Sequence, residues 1–276
     1  MKNNKTVKLT ALLLCLVLAL SLAACSASDS KETTAAQEGE KDLLAQIQER
    51  GTLVIGTEGN WAPWTYHDKD DKLVGLDIEI GTLIAEGLGV KADFQETDWD
   101  AILAGVDSGR FDMACNGVGY TAERAEKYDF STPYVYTPKV LVVRGDNTDI
   151  TKLEDLDGKK TANSPGSTYA DLGAQYGAEV TSANTLDQTI ELLLQDRVDA
   201  TINAKGSIDD YLAEHPDADI KIVQQLDGDP VAYPMPKGSE SLVKAVNDIL
   251  DELRENGKLA EISLKYFNED MTKAQQ

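Results

Sequence analysis

Short β-prone segments alternate with amphipathic segments of helical period along most of this 276-residue chain. The run TLVIGT at residues 52–57 predicts a buried strand, and apolar residues at 80, 84 and 88 share one face of a helix. Strands at 91–95 and 111–115 are predicted on either side of a helix at 99–106. Alternation of this kind indicates an α/β fold with a largely parallel sheet.

The pattern starts again after a strand predicted at 139–144. The next elements are strands at 161–163 and 198–203 and helices at 168–176 and 186–194, and the helices at 239–256 and 259–267 come last. Two similar α/β units are the simplest account of this restart. The chain would then cross between the units near 139–145 and again near 228–236, where PVAYPMP interrupts the second unit. Such a pair of crossings predicts a hinge over a cleft.

The N-terminus has the features of a secretory signal. Three lysines are followed by an apolar run at 9–20 and by Leu-Ala-Ala-Cys at 22–25, which looks like the lipobox of bacterial lipoproteins. We therefore expect a signal peptide over 1–24, lipidation of Cys25, a flexible tether over 25–41 and an extracytoplasmic location at the cell membrane. An ordinary signal peptide that contains a cysteine is the alternative.

Charge and residue counts exclude several classes of partner. A formal net charge of −22 argues against nucleic acid and anionic lipid surfaces. With two histidines in the chain, and Cys115 as the one cysteine beyond residue 25, the sequence supports neither a metal site nor a disulfide within the chain, and it indicates no cofactor. Cys115 lies in an apolar segment and is expected to be buried and inert.

The segment 112–134 combines a strand, two glycines and a candidate helix start. Thr121 is a suitable N-cap, Gly117 and Gly119 allow a ligand to approach the main chain, and Arg124 offers a planar two-pronged donor. This combination predicts a site for an anion such as a carboxylate. A surface turn with a solvated arginine is the alternative for these residues taken alone.

Six motifs in order resemble the family 3 solute-binding proteins of amino-acid ABC importers. They are GTL at 51–53, WAPW at 61–64, GLDIE at 75–79, TAER at 121–124, FSTPY at 130–134 and DLDGK at 155–159. The resemblance implies a two-lobed α/β fold of the periplasmic-binding-protein type with two crossing strands at a hinge. Lobe 1 would comprise 42–140 and 232–276, and lobe 2 would comprise 141–231.

The same resemblance implies roles for individual residues. Arg124 matches the clamp for the α-carboxylate of a ligand, assisted at Gly117 and Gly119, while Ser167 and Thr168 match the turn that closes over it. Trp61 matches the aromatic wall against which the ligand side chain lies, and Trp99 falls at the apolar position opposite; core packing is the alternative for both. Glu58 matches an acidic position near the distal end of the ligand, although an exposed loop carboxylate is the competing interpretation.

One position departs from the family pattern. Where the family places an aspartate for the ligand ammonium, this chain has Ala204, whose side chain accepts no hydrogen bond. Asn203, a backbone carbonyl or another acid would have to replace it, or the ligand is not held as a simple α-amino acid.

These observations together predict a monomeric extracytoplasmic lipoprotein that binds a free polar amino acid and delivers it to an ABC permease in the membrane. Cystine is the first candidate ligand, because WDAILAG and DFSTPYVY look most like the cystine branch. We expect no enzymatic activity. The alternatives are an enzyme on the same scaffold, similar to a cyclohexadienyl dehydratase with Glu58 as its cleft carboxylate, and a sensory amino-acid receptor.

Overall fold

The computed structural model describes residues 42–274. The predicted signal peptide, Cys25 and the predicted tether lie outside the described residues. The helices are α1 (Leu43–Arg50), α2 (Leu76–Gly87), α3 (Trp99–Asp107), α4 (Ala122–Lys127), α5 (Thr168–Gln175), α6 (Leu186–Leu194), α7 (Lys205–Glu214), α8 (Glu240–Glu255) and α9 (Lys258–Phe267), with a 3-10 turn at Leu153–Leu156. The strands are β1 (Thr52–Thr57), β2 (Asn60–Trp61), β3 (Thr65–His67), β4 (Leu73–Val74), β5 (Lys91–Glu96), β6 (Met113–Ala114), β7 (Tyr128–Phe130), β8 (Val135–Arg144), β9 (Lys160–Asn163), β10 (Glu179–Ser182), β11 (Ala200–Ala204), β12 (Ile220–Val231) and β13 (Pro234–Pro236).

The first sheet has the strand order β5-β1-β6 and is parallel throughout. Its central strand β1 buries Leu53 and Ile55 completely, as expected for a strand covered by helices. The buried faces of α2 and α8 pack in the same core, together with residues of α1 and α9. Cys115 is buried in the same core, and burial raises the pKa of its thiol well above the usual value. This is the inert environment expected for it.

The second sheet has the strand order β10-β9-β11-β8-β12 and is mixed. Strands β10, β9 and β11 are parallel, whereas β8 runs antiparallel to both of its neighbours. The expectation of a largely parallel sheet is therefore wrong for the part of this sheet that contains β8 and β12. The reason is that β8 and β12 are not joined to their neighbours by the helical crossovers that make strands parallel.

Strands β8 and β12 also connect the two sheets. Val135 at the start of β8 and Val231 at the end of β12 are buried in the core around β1, while Val140 and Val142 of β8 belong to a core of the second sheet. The two strands pair with each other from one core to the next. They are the two crossing strands of a two-lobed fold. The residue boundaries assigned to the lobes from the sequence remain a prediction.

Several elements differ from the sequence-based expectations. The strand expected at 111–115 is reduced to β6, β8 begins four residues earlier than expected, and β12 and α7 were not predicted. The segment 230–236 does not simply interrupt the chain, because its prolines lie in β12 and β13, each of which pairs with another strand. Within residues 42–274, no helix combines the length and apolar character that a membrane crossing requires.

Candidate functional site

A cavity lies where strands of both sheets end. Glu58 follows β1, Gly117 follows β6, Asn163 ends β9 and Asn203 lies near the end of β11. The carboxyl ends of strands are where α/β proteins bind ligands. The space encloses about 730 Å³ that atoms do not fill, part of it open to solvent. All nine binding residues predicted from the sequence line it: Glu58, Trp61, Trp99, Gly117, Gly119, Arg124, Ser167, Thr168 and Asn203.

Arg124 reaches across this cavity. Thr121 Oγ1 accepts a hydrogen bond from Arg124 N at 3.1 Å, which caps α4 as expected and fixes the start of the side chain. Its guanidinium donates to Gly119 O at 2.8 Å and to Gly166 O at 2.9 Å and lies 5.5 Å from the ring centre of Trp99. Burial lowers the pKa of this guanidinium. It remains a cation with donors to spare, because arginine carries five N–H groups.

The two glycines occupy different environments. Gly119 forms an antiparallel β-bridge with Val231. The two hydrogen bonds of this bridge are donated by Tyr120 N and Ala232 N, so the N–H group of Gly119 is not used in it. Gly117 has φ +55, and a Cβ there would lie 2.7 Å from the Trp61 ring. Only glycine fits such a position without strain.

The N–H group of Gly117 faces away from the cavity. It donates to Asp77 Oδ2 at 2.5 Å, and the hydroxyls of Tyr134 and Tyr233 donate to the other oxygen at 2.6 and 3.1 Å. Burial raises the pKa of Asp77 to about 6. Gly117 N–H is thus unavailable to a ligand carboxylate in this arrangement. Asp77 instead anchors the loop that carries both glycines.

Ser167 and Thr168 form the start of α5 on the opposite wall. Ser167 Oγ accepts from Ala170 N at 3.1 Å and caps the helix. A Cβ at Gly119 would lie 3.6 Å from Thr168 Cγ2, so the two walls approach closely here. The free N–H groups of a helix start favour an anion.

Aromatic rings form the remaining apolar walls. Trp61 stacks on the buried Trp64 at 5.3 Å between ring centres, and it makes a T-shaped contact with Tyr169 at 6.5 Å between ring centres. Trp61 and Trp99 are both partly exposed, and both line the cavity. Core packing alone therefore does not account for either side chain.

Glu58 is held at the rim by a pair of hydrogen bonds with one amide. Asn116 Nδ2 donates to Glu58 Oε2 at 2.6 Å, and Glu58 N donates to Asn116 Oδ1 at 2.8 Å. Burial raises the pKa of this carboxyl to about 7, opposed by the Asn116 bond and reinforced by Asp98. The side chain is not the freely exposed loop carboxylate of the alternative interpretation.

Ala204 is fully buried and packs in the core around β1, outside the cavity lining. The Tyr169 hydroxyl lies within hydrogen-bonding reach of its backbone. Asn203 Oδ1 accepts from Ala204 N at 2.8 Å. The amide oxygen of Asn203 is therefore already engaged.

Several lining residues were not singled out in the sequence. Among them are Lys139 and Asp229, which form an ion pair between β8 and β12, and Tyr169 and Asn163. Lys139 and Asp229 both fall in the segments predicted to cross the hinge. Charged residues in crossing segments were the signal that could have identified them.

The chain resembles known proteins over most of its length. The family model of the bacterial extracellular solute-binding proteins, family 3, matches residues 53–269. The L-cystine-binding protein TcyA of Bacillus subtilis (strain 168) is 42% identical over 257 residues, covering 92% of this chain and 94% of that protein. The L-cystine-binding protein TcyJ of Escherichia coli (strain K12) is 34% identical over 237 residues, covering 85% and 89%.

A solved structure agrees with this relationship. An ancestral arginine-binding protein bound to arginine matches with a TM-score of 0.74 and 34% identity, over 79% of this chain and 99% of that one. Fold and sequence thus lead to the same assignment, and the chain belongs to the bacterial extracellular solute-binding proteins, family 3.

Proposed function

We propose that this protein captures a free polar amino acid, with L-cystine as the first candidate, and delivers it to the permease of an ABC importer. The observation that carries the proposal is the arrangement of Arg124, the start of α5 and the rings of Trp61 and Trp99 around one cavity. Such a cavity offers a cation, backbone N–H groups and aromatic surface to one small ligand.

The carboxylate of the ligand would bind between Arg124 and the start of α5. A guanidinium binds a carboxylate through two parallel hydrogen bonds, and this one already spans the cavity from Gly119 to Gly166. Gly119 N–H and the hydroxyl of Thr168 lie on the two facing walls. These groups would close over the carboxylate from both sides.

The case for cystine rests on charge and on the named relatives. Cystine carries a carboxylate and an ammonium at each end, joined by a disulfide. The cavity is lined by two cations, Arg124 and Lys139, and by two carboxyl groups, Glu58 and Asp229. Tryptophan rings form its apolar walls. Two relatives that match most of the chain are L-cystine-binding proteins.

Delivery at a membrane is supported by the sequence outside the described residues. The Leu-Ala-Ala-Cys sequence places Cys25 where a lipid anchor would be attached, and a segment poor in apolar residues separates it from α1. A diacylglyceryl group supplies two chains, which stable anchoring requires. The protein is proposed to bind its ligand as a monomer.

A second candidate, an enzyme of the cyclohexadienyl dehydratase kind, is favoured by one observation. Glu58 lines the cavity with a pKa raised to about 7, near the pH at which a general acid or base works best. Turnover of a cyclohexadienyl substrate that Glu58→Gln abolishes would support this activity. Tight amino-acid binding without turnover supports transport.

The proposed function is tested by a thermal-shift screen of the twenty amino acids and L-cystine. A ligand present at about 100 times its Kd should add about 2.7 kcal/mol to the free energy of unfolding. We expect a polar amino acid or cystine to give the largest shift, with its Kd then measured by calorimetry. If none of these compounds shifts the melting temperature or binds in calorimetry, the proposal is wrong.

A further inference from the structure

The usual place for an ammonium partner is closed in this protein. Position 204 holds a fully buried alanine, and Tyr169 lies against it with its ring towards Trp61. An ammonium enclosed in the cavity still needs acceptors in place of water, because an unpaired buried charge is strongly unfavourable. Another group must therefore receive it.

Of the described residues, Glu58 and Asp229 are the acidic ones that line the cavity. Glu58 is engaged with Asn116 through both its carboxyl and its backbone N–H. Its raised pKa also means that it is about half protonated near neutral pH. Asp229 is bonded to Lys139 through Oδ2, which leaves its second carboxylate oxygen as an acceptor for the cavity.

Asp229 belongs to a polar patch on one face of the crossing strands. Thr137 and Lys139 are two residues apart in β8 and therefore point to the same face, where Asp229 is the cross-strand partner of Thr137. On the other side of β8, Ala204 is the cross-strand partner of Lys139. Asp229 and the alanine thus flank the same lysine from opposite sides.

The patch has unused acceptor capacity. Lys139 Nζ contacts Asp229 Oδ2, which leaves Oδ1 for another donor. Thr137 is 4% exposed, and its hydroxyl has no hydrogen-bond partner within residues 42–274. A buried hydroxyl without a partner is uncommon in proteins. The side chain of Asp229 is 45% exposed and so is accessible from the cavity.

We propose that Asp229, with the hydroxyl of Thr137 beside it and Lys139 holding its carboxylate, receives an ammonium group of the ligand in place of an acid at position 204. This assignment rests on the proposed function as an amino-acid-binding protein. It makes the crossing strands part of the binding site as well as the connection between the sheets.

The test compares L-cystine with dithiodipropionate, which keeps the disulfide and both carboxylates but lacks both ammonium groups. Calorimetry is performed on the full mature chain with wild type, Asp229→Asn and Asp227→Asn. Asp227 is exposed in the same strand outside the cavity lining and serves as the matched control. Asp229→Asn should weaken cystine binding by at least about 30-fold.

The selectivity between the two compounds separates this role from a structural one. Asp229→Asn should leave the affinity for dithiodipropionate unchanged or stronger, whereas a distorted cavity would weaken both compounds. The assignment is overturned if Asp229→Asn loses affinity equally for both compounds, or if it binds cystine within about twofold of wild type. Either result leaves the proposed function intact. If wild type binds other amino acids but not cystine, the best of them and its N-acetyl derivative replace the pair. If wild type binds no amino acid at all, both proposals are refuted.

Discussion

Arg124 uses its donors in a way that prepares it for an anion. Two of its five N–H groups bond to backbone carbonyls on opposite walls, and its Cζ lies over the Trp99 ring. These contacts hold the guanidinium in place without neutralising it. The remaining donors can pair with a carboxylate at little further cost in side-chain entropy.

Arg124→Ala should therefore lose about 2–5 kcal/mol of binding free energy, or roughly 30- to 4,000-fold in Kd. Arg124→Lys should recover only part of this loss, because an ammonium cannot reproduce the two-pronged geometry. Calorimetry with the best ligand of the screen measures both, with exposed Arg197→Ala as control. An alanine variant that binds within twofold of wild type would show that the carboxylate is held elsewhere.

Glu58 should make stability depend on pH. Its folded pKa of about 7 lies above the ordinary glutamate value of 4.5, so folding favours the protonated form. The unfolded chain releases this proton first as pH rises, and the folded state loses stability between about pH 4.5 and 7. Urea denaturation should show that wild type loses about 1–3 kcal/mol more than Glu58→Gln between pH 5 and 8. Exposed Glu255→Gln should follow wild type, and identical profiles for wild type and Glu58→Gln would contradict the raised pKa.

Among individual residues, the sequence identified the cavity residues that lie in local motifs. It did not identify those that join the cavity only through the fold. Arg124, Trp61 and Ser167 stand in recognisable local patterns, and the structure brings them to one cavity. Lys139 and Asp229 are 90 positions apart, and no local pattern joins them. Their pairing depends on the register between β8 and β12, which short-range periodicity does not determine.

Helix α3 packs on the first sheet through a small apolar cluster that includes Ile102, Val106 and the ring of Phe111. Phe111 is fully buried, and Gly56 of β1 and Gly105 of α3 lie against it. A Cβ at Gly105 would lie 2.3 Å from Phe111 Cε2, and a Cβ at Gly56 would lie 2.4 Å from Cδ2. The absence of side chains at both glycines sets how closely the helix approaches the strand. Trp99, at the first turn of this helix, takes its position in the cavity from this packing.

Gly105→Ala should destabilise the protein by about 1–3 kcal/mol through overpacking, although alanine is intrinsically favoured over glycine in a helix by about 1 kcal/mol. Adding Phe111→Leu should make the double variant more stable than the sum of the single changes predicts. Chemical denaturation measures all three, and exposed Ala104→Ser should stay within about 0.5 kcal/mol of wild type. A Gly105→Ala variant more stable than wild type would mean that α3 moves freely away from the ring.

Helices and strands with a strong apolar periodicity were predictable from the sequence. Elements that depend on pairing with a distant strand were not. Helix α8 buries Leu242, Val246, Leu250 and Leu253 at helical spacing, and its predicted bounds differ by one residue at each end. Strand β12 is mostly half-buried, mixes apolar and polar residues without a regular alternation, and carries two register shifts. Its continuity comes from hydrogen bonds to β8 rather than from an apolar alternation. Helix α7 begins Lys-Gly-Ser, a weak helix start that the preceding strand β11 positions.

On the scale of the whole molecule, the walls of the cavity contact each other through a few groups of α5 and its preceding turn. Gly166 O accepts from Arg124 at 2.9 Å, Thr168 lies near Gly119, and Tyr169 makes a T-shaped contact with Trp61. Outside the cavity, Phe267 of α9 lies against Gly206 of α7, and β8 and β12 connect the two sheets. A hinge of two strands with a small contact across the cavity suits a protein that must open to exchange its ligand.

Tyr169 should therefore influence how far the two walls separate. Its ring contact with Trp61 is expected to contribute about 0.5–1.5 kcal/mol to the closed arrangement, so Tyr169→Ala should weaken the apparent affinity by roughly 2- to 13-fold. Tyr169→Phe keeps the ring and loses only the hydroxyl near the Ala204 backbone, so its affinity should lie closer to wild type than that of Tyr169→Ala. Small-angle X-ray scattering without ligand should give the alanine variant a larger radius of gyration than the other two, and saturating ligand should reduce the difference. If all three proteins scatter alike with and without ligand, this contact has no part in closure.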